Sequence, residues 1–378
     1  MSDTRLQRWL GILGSPDDGR VLLGPNWFAS VMGTGIVAVA GATLPFTVPV
    51  ALTGAAWALA CALMLLLLVL VPLNWLQHPG HFRALTQDPV AIQFFGAPPM
   101  ALMTVGSSTL LVGQHWLGLP LALDIAWACW IVGTLSGYAA SVLVPYRLFT
   151  ALEVRSDGAF GGWLMPVVPP MVSAALGALL LPHAPEGVLR ETLVYVCYAC
   201  FGMSLVTAMI IISLIWSRLT YFGSSGSARV ATLWIVLGPV GQSITVAGAL
   251  GTAAHEVLPS PLNTGFDLLA VMFGVPMFGF VLLWMPLAAA LTWRARQRNM
   301  GFALTWWSFT FPVGTCVTGS SQLARHTGLP VFEWISLLLY GLLLLAWVTV
   351  GVNTFRHSRS GHLLTPPPVS PQPPARKG

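Results

Sequence analysis

Residues 57–76, WALACALMLLLLVLVPLNWL, run for 20 positions without a charge. At 1.5 Å per residue a helix of that length spans about 30 Å, the thickness of a bilayer's hydrocarbon core. Similar blocks recur to about residue 353. One such block is compatible with a buried helix of a large soluble protein; ten in succession are not. Only 8% of the 378 residues are charged, against about 25% in soluble domains. These features predict an all-α polytopic membrane protein.

The apolar blocks place ten transmembrane helices at 26–44, 48–73, 94–113, 120–143, 163–181, 190–217, 230–250, 264–293, 303–322 and 331–353. Residues 1–24 form a polar N-terminal segment, 25–353 the membrane domain, and 354–378 a Pro-rich tail expected to be extended and disordered. No apolar core precedes a small-residue cleavage site, so no removable leader is expected. Fifteen of the 17 basic residues fall at the termini or in linkers after even blocks, and only Arg190 and Arg325 in linkers after odd ones. By the positive-inside rule both termini are then cytoplasmic, in a plasma-membrane protein. The same scatter makes the net charge of +5 a set of loop charges and not a nucleic-acid stripe.

Odd and even blocks differ in kind. The odd ones hold glycine, proline and hydroxyls, with a helix breaker near each middle: Gly33 and Gly35, Pro98 and Pro99, Pro166 with Pro169 and Pro170, Pro239, and Pro312. Pro276 and Pro286, in the eighth block, are exceptions. The breakers recur every 65 to 73 residues, which reads as one helical hairpin repeated five times. Backbone groups freed by a breaker have no partner in hydrocarbon, so such helices belong inside the protein or against a water-filled cavity. Five repeated hairpins would therefore enclose a central pore.

The candidate lining of that passage is neutral: Gly33, Thr34, Gly35, Pro98, Thr104, Ser107, Pro166, Ser173, Pro239, Gln242, Ser243, Pro312 and Thr315. No ionisable side chain falls near the middle of a block. Asp124, Glu191, Asp267 and Glu333 lie at the starts of even blocks, where a helix N-terminus favours a carboxylate. A proton-coupled pump normally carries an intramembrane relay, and a cation path acidic rings; a neutral, hydroxyl-bearing passage suits anions. Nothing resembles an activated nucleophile or a metal cluster, so neither an enzyme, a cofactor nor a metal is expected. Cys197 and Cys200, on one helix without a histidine nearby, read as buried small hydrophobes. Gly133 and Gly137 read as a close-packing face, and residues 223–227, GSSGS, as a flexible linker. His115, His183, His255 and His326 each adjoin a different outer linker; ringing an outer mouth, they would add positive charge there on protonation. Arg325 is a candidate vestibule residue beside His326.

PNWFASVMGTGIVAVAG (25–41), QFFGAPPMALMTVG (93–106) and WWSFTFPVGTCVTG (306–319) resemble the tellurite-resistance/dicarboxylate transporter family. That family includes the bacterial tellurite-resistance channel, malate permeases, sulfite exporters and plant slow anion channels, and the likeness covers about residues 25–353. The resemblance implies ten helices in five hairpins around a pore, a homotrimer with one pore per subunit, and passage of small anions such as malate, sulfite, chloride, nitrate or tellurite. It also implies a phenylalanine plug on the ninth helix, just before a proline or glycine, which falls on Phe311. Phe309 points about 160° away on a regular helix, so both face one axis only if Pro312 distorts the turn. The family's pore-lining glycine falls on Gly33 or Gly35. The alternative function is a secondary active carrier for dicarboxylates or sulfite; a non-transporting scaffold would leave the repeated broken helices without a reason.

Overall fold

The computed structural model describes residues 22–224, 227–360 and 363. The polar segment 1–21 and most of the Pro-rich tail lie outside the described residues, as do two residues of the 223–227 linker. The described chain is all helical, with no strand among its residues. The principal helices are α1 (Phe28–Thr43), α2 (Val50–Gln77), α3 (Ala97–Ser108), α4 (Leu119–Thr150), α5 (Pro169–Leu180), α6 (Val188–Phe222), α7 (Leu237–Val257), α8 (Leu262–Arg296), α9 (Phe311–Thr327) and α10 (Pro330–Arg359). A short helix, Pro79–Gln87, follows α2.

Among the described residues seven helical stretches are long and apolar enough to cross a membrane: the five even helices, Ala91–Leu117 around α3, and Ala231–Val257 around α7. The even helices overrun their expected ends, so Arg147, Arg294, Arg296, Arg356 and Arg359 sit in last turns and not in linkers. A cation there meets the negative end of the helix dipole.

The two classes of helix occupy different environments. In the most apolar window of each even helix only 22–28% of residues are buried, against 78% and 89% for the stretches around α3 and α7. Leu65, Leu135, Val206, Met272 and Leu338, all on even helices, are exposed. The odd helices pack on one another in a closed cycle: α1 on α3, α3 on α5, α5 on α7, α7 on α9, and α9 back on α1. Trp347 on α10 donates its indole N–H to Thr34 Oγ1 on α1 at 3.1 Å, tying the last helix to the first.

Each odd segment opens with a 3₁₀ turn: Pro25–Trp27, Ala91–Gly96, Gly161–Leu164, Ala231–Val236 and Leu304–Phe309. The prolines were expected to break helices near their middles. Instead Pro98 and Pro99, Pro169 and Pro170, and Pro312 stand in the first turns of α3, α5 and α9. Proline fits there because the first helical N–H groups have no intrahelical acceptor anyway. Gly33 and Gly35 interrupt nothing; both lie within continuous α1. Backbone groups left over at the junctions are satisfied by side chains. Ser204 of α6 accepts from Met171 N–H at 3.0 Å and donates to Val167 O at 2.7 Å. Ser141 of α4 donates to Pro166 O at 2.7 Å, and Trp284 of α8 to Leu233 O at 2.9 Å. Gly133 and Gly137 face inward: a Cβ on Gly133 would overlap Met103, and one on Gly137 would lie 2.7 Å from Pro169 Cβ. They let α4 close on α3 and α5.

Candidate functional site

Two cavities lie inside the cycle of odd helices. The first, toward the Arg-rich end, has about 40 Å³, room for a few waters. It is lined by Asn26, Ala29 and Met32; Phe94 and Met100; Met165 and Val168; Ile235, Gly238 and Pro239; and Leu304, Thr305, Trp307, Ser308, Phe311 and Pro312. The second, toward the opposite end, has about 50 Å³. Its lining is Ile36, Val39 and Thr43; Thr104, Ser107 and Leu111; Val172, Ala175 and Leu179; Gln242, Thr245 and Ala249; and Phe311, Thr318 and Gln322. Every lining residue comes from an odd segment, all five contribute to both cavities, and Phe311 alone belongs to both.

The second lining has a simple register. In four helices the residues are spaced three, then four apart (36, 39, 43; 104, 107, 111; 172, 175, 179; 242, 245, 249), so each helix shows one face. α9 continues the pattern with 318 and 322, and Phe311 stands one turn below the place where Thr315 would complete it. Thr315 turns away, donating to Pro312 O at 2.7 Å with Leu237 O and Gly238 O at 3.3 Å.

The two phenylalanines of 305–316 have different surroundings. Phe311 begins α9 and is 6% exposed, its ring between the cavities. Phe309 ends the preceding 3₁₀ turn and packs edge-on against Trp234, centroids 5.5 Å apart, and against Trp306 at 5.7 Å. The 3₁₀-to-α change at Thr310 replaces the regular helix on which the 160° separation was reckoned.

The structure brings Thr104, Ser107, Pro239, Gln242 and Pro312 to the cavities and puts the other expected lining residues elsewhere. Gly33 lies against the 3₁₀ turn that leads into α9, where a Cβ would overlap Thr310 Oγ1 and approach Trp307 Cε3 to 2.6 Å. Gly35 faces Thr104 Cγ2, 2.9 Å from its notional Cβ. Thr34 accepts from Trp347. Ser173 pairs with Thr134 Oγ1 at 2.6 Å, and its carbonyl accepts from Trp130 at 3.0 Å. Ser243 donates to Val240 O at 2.7 Å, and the Pro166 carbonyl accepts from Ser141. Pro98 lines a lateral groove of about 500 Å³ between α2, α3 and α4. Sequence reasoning missed the apolar members, among them Met32, Met100, Met165, Ile36, Val39 and Val172, because a search for polar residues passes over them. It missed Gln322 as well, although the three–four spacing from Phe311 through Thr318 points to it.

At the opposite end, Arg325 is exposed. His326 is packed between three helices, with Nδ1 2.8 Å from Asp267 Oδ1 of α8 and Nε2 2.9 Å from Gly248 O of α7. His255 Nε2 lies 3.8 Å from Asp267 Oδ2, His115 Nδ1 lies 2.9 Å from Val112 O, and His183 is exposed. Glu191 and Glu333 occupy first turns of α6 and α10, whereas Asp267 serves His326. No group of three or more His, Cys, Asp or Glu able to hold a metal occurs among the described residues.

The odd helices thus form a cycle of buried helices with the Phe311 ring between two small cavities. The family model for voltage-dependent anion channels matches residues 23–355. The chain belongs to that family. The voltage-dependent anion channel match thus takes in all ten helices up to Phe355, and it agrees with the likeness to tellurite-resistance and dicarboxylate transporters seen in residues 25–41, 93–106 and 306–319. An uncharacterised transporter of Methanocaldococcus jannaschii is 26% identical over 341 residues, 89% of this chain and 95% of the relative. A sulfite efflux pump of Trichophyton rubrum is 26% identical over 334 residues, 86% of this chain and 88% of the relative.

Proposed function

We propose that this chain conducts small anions across a membrane along the line of the two cavities, and that Phe311 is the plug between them. In this reading all ten helices cross the bilayer as five hairpins, both termini are cytoplasmic, and the protein works in the plasma membrane as a homotrimer with one passage per subunit. The observation that carries it is Phe311: it is the residue common to two cavities otherwise lined by separate turns of the same five helices. A ring in a narrow passage excludes water, and an anion cannot shed hydration there without compensation. The amides of Gln242 and Gln322 at the second cavity, with no acid among the residues lining either cavity, agree with anions and disfavour cations.

Candidate cargoes are sulfite, C4-dicarboxylates such as malate, chloride, nitrate and tellurite. Purified protein in proteoliposomes, offered each anion separately, should pass at least one of them; no flux of any would refute the reading. The name of the Trichophyton relative, a pump, favours a second reading in which transport is active. Uptake against a concentration gradient when a pH gradient is imposed would select the carrier; equilibration alone selects the channel.

A further inference from the structure

The second cavity looks rich in hydroxyls, yet those hydroxyls are spent. Thr43 donates to Ala40 O at 3.1 Å, Thr104 to Met100 O at 2.7 Å and Ser107 to Met103 O at 3.0 Å. Thr245 and Thr318 share a 2.6 Å contact, and their remaining hydrogen serves Gly241 O or Thr315 O, each at 3.1 Å. A hydroxyl carries one hydrogen, so what these five turn toward the cavity is lone pairs, which repel an anion.

Two side chains are different. Gln242 is 6% exposed and Gln322 9% exposed; both line the cavity, and neither amide hydrogen-bonds to any described residue. The oxygen Oε1 of Gln322 is buried without a partner. Their NH₂ groups are the side-chain N–H donors among the residues lining this cavity. The register puts Gln242 in the tier one turn beyond Phe311 and Gln322 seven residues further along the equivalent face, about 10 Å toward the far end at 1.5 Å per residue.

We infer that Gln242 and Gln322 are the hydrogen-bond donors of an anion site in the second cavity, and that they select oxyanions with strong acceptor oxygens, of the sulfite or carboxylate type, over halides. This rests on the anion-passage reading and adds to it the side chains that recognise the cargo. An oxyanion accepts from the amide N–H groups at either end of the cavity, replacing water it loses on entry. A halide, a weaker acceptor, gains less from the same groups.

The test is a flux ratio, sulfite to chloride, in proteoliposomes of the wild type, Gln242→Met and Gln322→Met. Methionine keeps the side-chain length and removes the donors. Each variant should lower the ratio about tenfold, the loss of one hydrogen bond to a charged group, while chloride flux changes little. Gln242→Glu, isosteric but without N–H donors, should suppress both fluxes. Ratios unchanged in both methionine variants would overturn the assignment while leaving anion passage standing. Thermal unfolding in detergent tests the site without transport. Sulfite should raise the wild-type Tm more than chloride does, and the double methionine variant should lose that difference; no sulfite effect on the wild type, or an equal one on the variant, refutes the site.

Discussion

Replacing Phe311 with alanine separates a gate from an ordinary packed aromatic. The ring stands between cavities of about 40 and 50 Å³, so its removal joins them through the vacated space. An anion forced past the ring forfeits at least one or two hydrogen bonds to its charge, about 2–4 kcal/mol in all. Restoring water there lowers the barrier by a similar amount, a rise in flux of roughly 30- to 1,000-fold at 1.36 kcal/mol per decade. Truncating a buried phenylalanine also costs about 3–5 kcal/mol of stability, so the variant must first match the wild type in size-exclusion profile and helical circular dichroism. Liposome flux and planar-bilayer currents then read the gate. A folded Phe311→Ala protein whose flux is no larger than wild type refutes the gating argument. Phe309→Ala is the control: its ring packs on Trp234 and Trp306, so it should lower Tm and leave flux within about threefold, or about 0.7 kcal/mol, of wild type.

Further outcomes follow from the contacts around the cavities. Gly33→Val would drive a side chain into Thr310 and Trp307 and should cost about 1–3 kcal/mol by overpacking, read as a lower Tm in detergent. Trp347→Phe removes the hydrogen bond from α10 to Thr34; it should cost about 1 kcal/mol and, in a double-mutant cycle with Thr34→Val, be non-additive. Burial lowers the pKa of His81, on the short helix Pro79–Gln87, below its ordinary value. The unfolded chain then binds the proton more readily, so stability should fall as pH drops through about 6.5, and His81→Phe should flatten that slope in a Tm series from pH 7.5 to 5.5.

The helical framework was legible because bilayer and backbone constrain it at long range. Twenty uncharged residues such as 57–76 have few alternatives. The recurring prolines marked the odd segments, but their office was misplaced. A proline in the middle of an apolar block looks like a kink, and only the 3₁₀ turns before α3, α5 and α9 reveal it as a first-turn residue. The lining was harder to read, because hydrophilicity is a poor guide where a hydroxyl can satisfy itself on its own helix. Ser243 and Thr315 are polar, yet both are occupied by backbone carbonyls. Ile36 and Val172 are apolar, yet both line the second cavity. The three–four spacing, carried from one odd helix to the next by the repeat, held that information in the sequence.

The bond between α1 and α10 has a consequence for how the chain is ordered. A linear array of repeats exposes two unlike ends and needs a cap on each. Here α9 and α10 lie against α1, and Trp27 shares an apolar cluster with Leu363, beyond the end of α10. The covalent gap between the ends thus falls where neighbouring helices are already packed together. Cutting the chain in another Arg-rich linker, such as the one at residue 155, and joining the old ends by a flexible peptide should give a permuted protein with the same two cavities and the same anion preference. The packing order of the odd helices closes on itself whichever of them the chain begins with.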